Sequence, residues 1–391
     1  MRDAASVQTF HFDPVDLPPG IPAFRAEIRA FLAREMPRDY PAEQKANCWT
    51  VYDADFSRRL GERGWIGMHW SKTYGGHERS ALERYVLMEE LLAAGAPVGA
   101  HWIGDRQTAP AILRYGSESQ KQRHVPRIAR GEAFCCIGMS EPNAGSDLAS
   151  VRTRAERLPD GRWKINGQKI WTTLAHRSHL IIVLARTSPA DEKNRHAGLS
   201  QFLLEFDTPG LRVQPIVDLV GAKHFNEIFF EDCIVDAECL LGTEGQGWKQ
   251  VTAELSLERS GPERYLSSIA LFFELLRVVG PSPSESVRQA IGRVTAEIWT
   301  LRQMSLSVAG QLARGEDPYV EAAIVKDLGN VFEQALPPLV QALADDGIHL
   351  EQDSDFVRTL ALLLQTSPSF SLRGGTREIL RGIIARGLGL R

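Results

Sequence analysis

The sequence has few cysteines, and none of them form a paired motif. Five of the 391 residues are cysteine, an odd number, and no two of them are arranged as C-x-x-C. This pattern argues against a disulfide framework and against a structural zinc site. Cys135 and Cys136 stand side by side in an apolar run, where small buried hydrophobic side chains are expected. We therefore expect a protein of a reducing compartment that holds no metal.

Long apolar runs and an excess of positive charge are also missing. No run reaches the roughly 18 apolar residues that a membrane helix needs, so we expect no membrane span. The opening segment, MRDAASVQTFHFDPVDLPPG, lacks the basic start and continuous apolar stretch of a signal peptide. The net charge of −4 gives no argument for nucleic acid or an anionic membrane as a partner. We expect a soluble, cytoplasmic protein.

The residues that are present predict helices, then strands, then helices again. Residues 21–133 show apolar positions at helical spacing, with capping boxes at Ser80 to Glu83 and Ser117 to Gln120. Strand patterns follow at 180–184, 200–206, 211–214 and 227–230. Helical patterns then return at 248–276, 285–312, 318–344 and 356–364. Long helices joined by short loops favour an antiparallel bundle.

We therefore predict a mostly α protein with a central β domain. The expected segments are an N-terminal helical domain at 1–133, a small antiparallel, barrel-like β domain at 134–240, and a C-terminal antiparallel four-helix bundle at 241–391. The length allows two or three domains, and the 43% hydrophobic and 24% charged content is ordinary for a globular protein.

Residues 131–173 contain the densest functional pattern. The apolar run 133–139 breaks at SEPNAGSD, a loop of small residues that lets backbone N–H groups and hydroxyls approach a bulky polar ligand. Two hairpin signals follow, at Asp160-Gly161 and at Asn166-Gly167. From the pattern alone, a β-meander with an ordinary surface loop remains the alternative.

Three motifs resemble those of one family of enzymes. MSEPNAGSD at 139–147, followed by INGQKIWTT at 165–173, resembles the flavin-binding signature of the acyl-CoA dehydrogenase family. GGTREILRGIIARGLGL at 374–390 resembles that family's C-terminal signature. The likeness extends from about Ile21 to the end of the chain, and it implies the same order of helical, β and helical domains.

The resemblance implies FAD as cofactor and an acyl-CoA thioester as substrate. Ser146 matches a family position that touches the acyl-CoA, and we expect it to bind both substrate and cofactor. Thr173 is expected near the flavin N5 atom. The residues implied in cofactor binding are Met139, Ser140, Ser146, Trp171, Thr172, Thr173, Gly375, Thr376 and Glu378.

The position at which many family members carry the catalytic base does not hold a carboxylate in this sequence. In those members the base is a Glu directly before the Gly-Thr of the C-terminal signature. Here that position is Gly374. Other branches place the Glu on the first long helix of the bundle, and Glu258 resembles that site. Glu254 and Glu263 are the competing carboxylates. By default, a Glu-Arg pair on a helix is a solvated surface pair.

Two further roles follow from the same resemblance. We expect Arg259, which follows the base, to support the site or bind substrate. The backbone N–H of Gly374 is expected to donate to the thioester oxygen and so to stabilise the enolate-like charge.

Two departures from the family leave the assembly open. The glycine-rich Gln-x-x-Gly-Gly-x-Gly segment that often holds the FAD adenosine half is absent, and an Arg with a downstream Phe-Gly is replaced by LRVVGP at 276–281. One hypothesis is an active homotetramer that passes electrons to an electron-transferring flavoprotein. A second is one subunit of a heterotetramer for sterol or other bulky acyl-CoA, sharing FAD with a non-identical partner. A third is another flavin chemistry, such as that of a monooxygenase or nitroalkane oxidase.

Overall fold

The computed structural model describes residues 10–189, 193–343 and 354–390, and its contacts divide the chain into two compact units. The bundle unit comprises Met1–Trp49, Ser80–Ala96 and Glu258–Arg391. The sheet unit comprises Thr50–Arg79 and Pro97–Leu257. Both units draw on the N-terminal helical segment. The contiguous domains at 1–133, 134–240 and 241–391 therefore stay a prediction about chain segments.

Helices fill the first and last thirds of the described chain. In chain order they are α1 (Ile21–Glu35), α2 (Ala42–Lys45), α3 (Ala54–Glu62), α4 (Ala81–Ala93), α5 (Gly99–Ile103), α6 (Ala109–Tyr115), α7 (Glu118–Ala129), α8 (Gly247–Glu258), α9 (Ile269–Val278), α10 (Glu285–Ala313), α11 (Tyr319–Ala342), α12 (Asp355–Thr366) and α13 (Arg377–Gly387). Both predicted capping boxes are confirmed, at the starts of α4 and α7. Among the described residues, no helix is both long and apolar enough to cross a membrane.

One mainly antiparallel sheet forms the core of the sheet unit. Its strands are β1 (Cys135–Gly138), β2 (Arg154–Arg157), β3 (Trp163–Thr173), β4 (Leu180–Arg186), β5 (Leu199–Glu205), β6 (Leu211–Ile216), β7 (Phe225–Val235) and β8 (Leu240–Leu241). The order is β6-β7-β3-β2-β4-β5-β8, with β1 paired in parallel to β4. Trp163 and Phe202 meet edge to face in the buried core, with ring centroids 5.3 Å apart. The strands predicted at 180–184, 200–206 and 211–214 are confirmed within two residues of their ends, and the one predicted at 227–230 lies inside the longer β7.

The predicted hairpin at Asn166-Gly167 is wrong. β3 runs unbroken through both residues and pairs with β7, with a register shift between Ile165 and Gly167. Asn166 exchanges two hydrogen bonds with Asp232 of β7 (2.9 and 3.0 Å). The side chains that favour a turn here build a bulge instead. The hairpin at Asp160-Gly161 is confirmed, since β2 and β3 pair on either side of it.

The single helix predicted over 248–276 is also wrong. α8 ends at Glu258, a short 3₁₀ turn occupies Pro262–Arg264, and α9 begins at Ile269. Gly261 and Pro262 explain the break, because proline cannot continue the hydrogen-bond ladder of a helix and glycine weakens it. The other helices of the bundle are confirmed, including the long α10.

Candidate active site

The loop after β1 is a tight turn rich in polar groups. The chain leaves the strand at Met139, and Glu141 and Ala144 exchange two backbone hydrogen bonds of 2.9 and 3.0 Å. Ser146 is exposed at the surface of the sheet unit. Its predicted contact with cofactor and acyl-CoA stays a prediction.

The structure brings the two halves of the flavin-type signature together. The backbone N–H of Ile170 in β3 donates to the carbonyl of Ser140 at 2.9 Å. One residue earlier, the Lys169 amino group donates to the carbonyl of Met139 at 3.0 Å. The signature is therefore one local structure, although its halves are separated by a hairpin.

A buried ion pair holds this local structure. Lys169 is fully buried, and its Nζ atom lies 2.9 Å from a carboxylate oxygen of Glu141. The carboxylate also accepts the backbone N–H groups of Arg152 and Thr153, at 2.7 and 2.8 Å. Burial lowers the pKa of Lys169 to about 8, and Glu141 opposes that change. Burial alone would raise the pKa of Glu141, but the lysine and the donated hydrogen bonds keep it below its ordinary value.

Trp171 is exposed to solvent and has an unusual backbone conformation. Its φ is +60°, a left-handed value that bulky side chains rarely adopt, and it lies at a second register shift between Lys169 and Thr172. Trp171 is 56% exposed. Its indole meets the ring of Phe225 edge to face, with 5.8 Å between the ring centroids. Such strain is characteristic of functional positions.

The neighbouring hydroxyl groups have no partner within the described structure. The Thr172 side chain is buried, and its hydroxyl makes no hydrogen bond. The hydroxyls of the half-buried Ser140 and Thr173 likewise contact no described hydrogen-bonding group. An exposed aromatic face beside unused hydroxyls on a small-residue loop fits a flat heteroaromatic ring with polar edges, as in a flavin. The individual cofactor contacts stay predictions.

The second predicted group of site residues lies in the bundle unit, on a glycine turn before α13. Gly374 and Gly375 have φ values of +61° and +102°, which only glycine adopts without strain. Thr376 is the N-cap residue directly before α13, and Glu378 is exposed in the first turn of that helix. A hydrogen bond from its own backbone N–H, followed by the Thr376 hydroxyl, lowers the pKa of Glu378.

Arg259 packs against this turn. It is only 3% exposed, and its Nε atom donates to the carbonyl of Gly374 at 3.4 Å. Its guanidinium lies 5.6 Å from the ring centroid of Tyr319, and its Nη1 atom has no hydrogen-bond partner among the described residues. The structure thus brings together two predicted residues, Arg259 and Gly374.

The carboxylates proposed as bases fall in different places. Glu258 is the last residue of α8, but its side chain and that of Glu254 lie outside the described part of the structure. Glu263 is buried in the 3₁₀ turn that follows. The choice among the three therefore stays a prediction.

Several site-supporting residues were missed by the sequence analysis. Lys326 and Glu333 of α11 are fully buried and bond the segment around the glycine turn. Burial raises the pKa of Glu333, although Arg373 opposes that rise. Glu141 and Lys169 stand in the first and second halves of the flavin-type signature. Their opposite charges were the available signal for an ion pair between the two halves. No comparable signal marks Lys326.

Comparison with known proteins agrees with this structure. Family models match residues 21–132 as the acyl-CoA dehydrogenase N-terminal domain, 136–233 as the middle domain and 280–389 as the C-terminal domain. The chain is 34% identical to acyl-CoA dehydrogenase IpdE1 of Mycobacterium tuberculosis, covering 94% of this chain and 97% of that protein.

Solved structures show the same fold. A chain of the ChsE4-ChsE5 complex of Mycobacterium tuberculosis superposes with a TM-score of 0.82 at 29% identity, covering 97% of this chain and 100% of that one. The Tcur3481-Tcur3483 steroid ACAD superposes with a TM-score of 0.82 at 26% identity, covering 96% and 98%.

The helical, β and helical order and the two signatures define the class of the protein as an oxidoreductase. The chain belongs to the acyl-CoA dehydrogenase family, whose members are flavoproteins of lipid metabolism.

Proposed function

We propose that the protein is an FAD-dependent acyl-CoA dehydrogenase that converts an acyl-CoA thioester into its trans-2-enoyl-CoA. The observation that carries this proposal is the pairing of Ser140 with Ile170 beside Trp171, which leaves hydroxyls and an aromatic face available. The chemistry that FAD would supply when bound is that of a hydride acceptor, with the β-hydride going to its N5 atom. Ser140, Trp171 and Thr173 would hold its ring. Gly375, Thr376 and Glu378 are the other proposed cofactor contacts, and Thr376 and Glu378 match family positions near the ribityl-pyrophosphate of a neighbouring subunit's FAD.

We assign proton removal from the α-carbon to Glu258. Gly374 occupies the position at which many family members carry the base, so a carboxylate must come from another element. Glu258 closes α8, and the buried Arg259 directly after it bonds the glycine turn. A carboxylate beside an apolar acyl chain has a raised pKa and is suited to accept a carbon-bound proton. In deuterated buffer, wild-type enzyme should exchange the α-hydrogen of a substrate analogue, and Glu258→Gln should not.

The experiment that tests the activity is anaerobic reduction of the purified, FAD-loaded protein by a panel of thioesters. The panel contains straight, branched, aromatic and steroid-derived acyl-CoA. Loss of the oxidised flavin absorbance with formation of an equal amount of enoyl-CoA supports the proposal. Unchanged flavin absorbance with every thioester contradicts it. An electron-transferring flavoprotein is the proposed oxidant of the reduced enzyme.

A second candidate function is that of one subunit in a heteromeric acyl-CoA dehydrogenase. Two of the similar solved structures are named as pairs of different chains, one of them as a steroid enzyme. The missing glycine-rich segment supports the same reading, since a partner would supply the contacts that this chain lacks. The region 344–353, where that segment would be sought, is outside the described residues.

Flavin content separates the two candidates. A homotetramer should purify with FAD from expression of this chain alone. A heterotetramer subunit should purify without FAD and gain it only when a related chain is co-expressed. The panel of thioesters is then applied to whichever assembly contains flavin.

A further inference from the structure

The glycine turn before α13 has three consecutive carbonyl groups that are all held by basic side chains. Lys326 of α11 donates to the carbonyls of Arg373 and Gly375, the latter at 2.7 Å. Arg259 donates to the carbonyl between them, that of Gly374, at 3.4 Å. Lysine offers three donors and no acceptor, and so a single amino group can hold two carbonyls.

Fixing these carbonyls also fixes the N–H groups on the other side of each peptide plane. No peptide bond in the described chain is cis, so each C=O and the following N–H point in opposite directions. The N–H of Gly374 is therefore directed away from the Lys326 amino group. The same holds for the N–H of Thr376, which follows the second carbonyl that Lys326 holds.

The side chains of the turn do not restrict its backbone at Gly374 and Gly375. Gly374 and Gly375 are both left-handed, and neither has a side chain that restricts rotation. Lys326 is itself immobilised, because it is fully buried on α11. Ordering of this backbone must therefore come from its hydrogen-bond partners.

A second anchor lies on the same helix. Glu333, two helical turns after Lys326, accepts from an Arg373 nitrogen at 3.3 Å and from the backbone N–H of Ser267 at 2.7 Å. It holds the residue before the glycines through its side chain, whereas Lys326 holds the peptide groups themselves. Lys326 and Arg259 bond the carbonyls of the turn, and these bonds set the direction of its N–H groups.

We propose that Lys326 is a positioning residue that aims the Gly374 N–H as the donor to the thioester oxygen. The inference rests on the proposed function, in which that N–H stabilises charge developing on the oxygen. Lys326 contacts neither substrate nor cofactor in this role; it acts through the peptide group between Arg373 and Gly374. Loss of an oxyanion donor typically lowers kcat by about 100- to 1,000-fold, and misaligning one costs less.

The test uses the FAD-loaded enzyme with a thioester that reduces the wild type. Lys326→Met should lower the rate of flavin reduction at saturating substrate by about 10- to 100-fold, while substrate affinity changes by less than about threefold. Lys326→Arg, which keeps donors in place, should recover part of the rate. Asp327→Asn is the matched control. It breaks the ion pair of the next α11 residue with Arg377 (2.8 Å) but touches none of the three carbonyls, and it should react like the wild type.

A spectroscopic readout separates aiming of the donor from support of the fold. The infrared stretching frequency of an isotope-labelled thioester carbonyl in bound enoyl-CoA falls when the oxygen accepts a hydrogen bond. In Lys326→Met it should shift back toward the value for free thioester, and in Asp327→Asn it should not. If Lys326→Met fails to fold, Lys326→Gln replaces it, with an intermediate shift expected.

The outcomes distinguish failure of the proposed function from failure of the role proposed for Lys326. A wild-type enzyme that no thioester reduces overturns the proposed function and this inference with it. A reactive wild type, together with a folded Lys326→Met variant whose rate and carbonyl frequency match those of Asp327→Asn, overturns the inference alone.

Discussion

A fully buried lysine needs hydrogen-bond partners that compensate for its lost hydration, and Lys169 has two. It bonds the Glu141 carboxylate and the carbonyl of Met139, which are both on the loop that the flavin signature predicts to bind cofactor. Removing one member of such a pair leaves a charge in a dry site, which is costlier than the pair is stabilising. The pair therefore ties the stability of the sheet unit to the shape of the loop.

Substitution of Lys169 tests this coupling. Lys169→Met should lower the free energy of unfolding by about 3 kcal/mol or more, because Glu141 is left buried without a cation. The double variant Lys169→Met with Glu141→Gln should be less destabilised than the single one. Urea denaturation measures both. Arg162→Gln, which breaks an exposed pair with Asp160, is the control and should leave the denaturation midpoint unchanged.

His124 gives the protein a sensitivity to acid. It is buried on α7, its Nδ1 atom has no hydrogen-bond partner among the described residues, and burial, with Arg123 adding to it, lowers its pKa to about 4. Between pH 6.5 and pH 4, the unfolded chain binds a proton at this residue and the folded protein does not. Stability should therefore fall as the pH drops through this window.

The matched experiment compares wild type and His124→Gln by thermal denaturation from pH 7 to pH 4. The variant should lose less stability over this range, since one group that protonates only on unfolding has been removed. Equal losses in the two proteins would show that His124 is not one of the groups responsible.

At the scale of elements, β3 shows why turn chemistry misleads. Asn166 and Gly167 are ordinary hairpin residues, yet here they serve a bulge that lets β3 continue against β7. Gly167 has φ +148°, and a Cβ there would lie 2.5 Å from the hydroxyl oxygen of Thr153. The same residue types suit both structures, and only pairing with a distant strand decides between them.

Replacing Gly167 tests the close approach. Gly167→Ala should be destabilised by about 2 kcal/mol or more, because it suffers both an unfavourable φ and a clash with Thr153. Gly161→Ala is the control. Its φ is also positive, at +89°, but nothing lies within 4 Å of the added Cβ, so it should show only the smaller conformational cost. Chemical denaturation of the two variants separates clash from strain.

The bundle elements show the opposite balance. The capping boxes at Ser80 and Ser117 and the long helix α10 were predictable, because their signals are local. The contact of Lys326 with Gly375 was not, since the two residues lie 49 positions apart and no motif marks Lys326. Local sequence gave the helices, but packing of α11 against the glycine turn depends on the tertiary structure.

At the scale of the whole molecule, the sequence motifs predicted the family and the order of helices and strands. The structure adds that parts of the first and last segments share one compact unit, which no local pattern indicates. It also shows which predicted residues meet: Ser140 with the β3 signature, and Arg259 with Gly374. The cofactor residues predicted on the two signatures belong to different compact units, and their roles stay predictions.

In the proposed mechanism, Glu258 removes the α-proton of the substrate while the β-hydride is transferred to bound flavin. The most direct test of this mechanism is stopped-flow flavin reduction under anaerobic conditions in wild type, Glu258→Gln and Glu263→Gln, each with FAD bound. We expect flavin reduction in the wild type and in Glu263→Gln, and none in Glu258→Gln. Reduction of Glu258→Gln at the wild-type rate would contradict the mechanism.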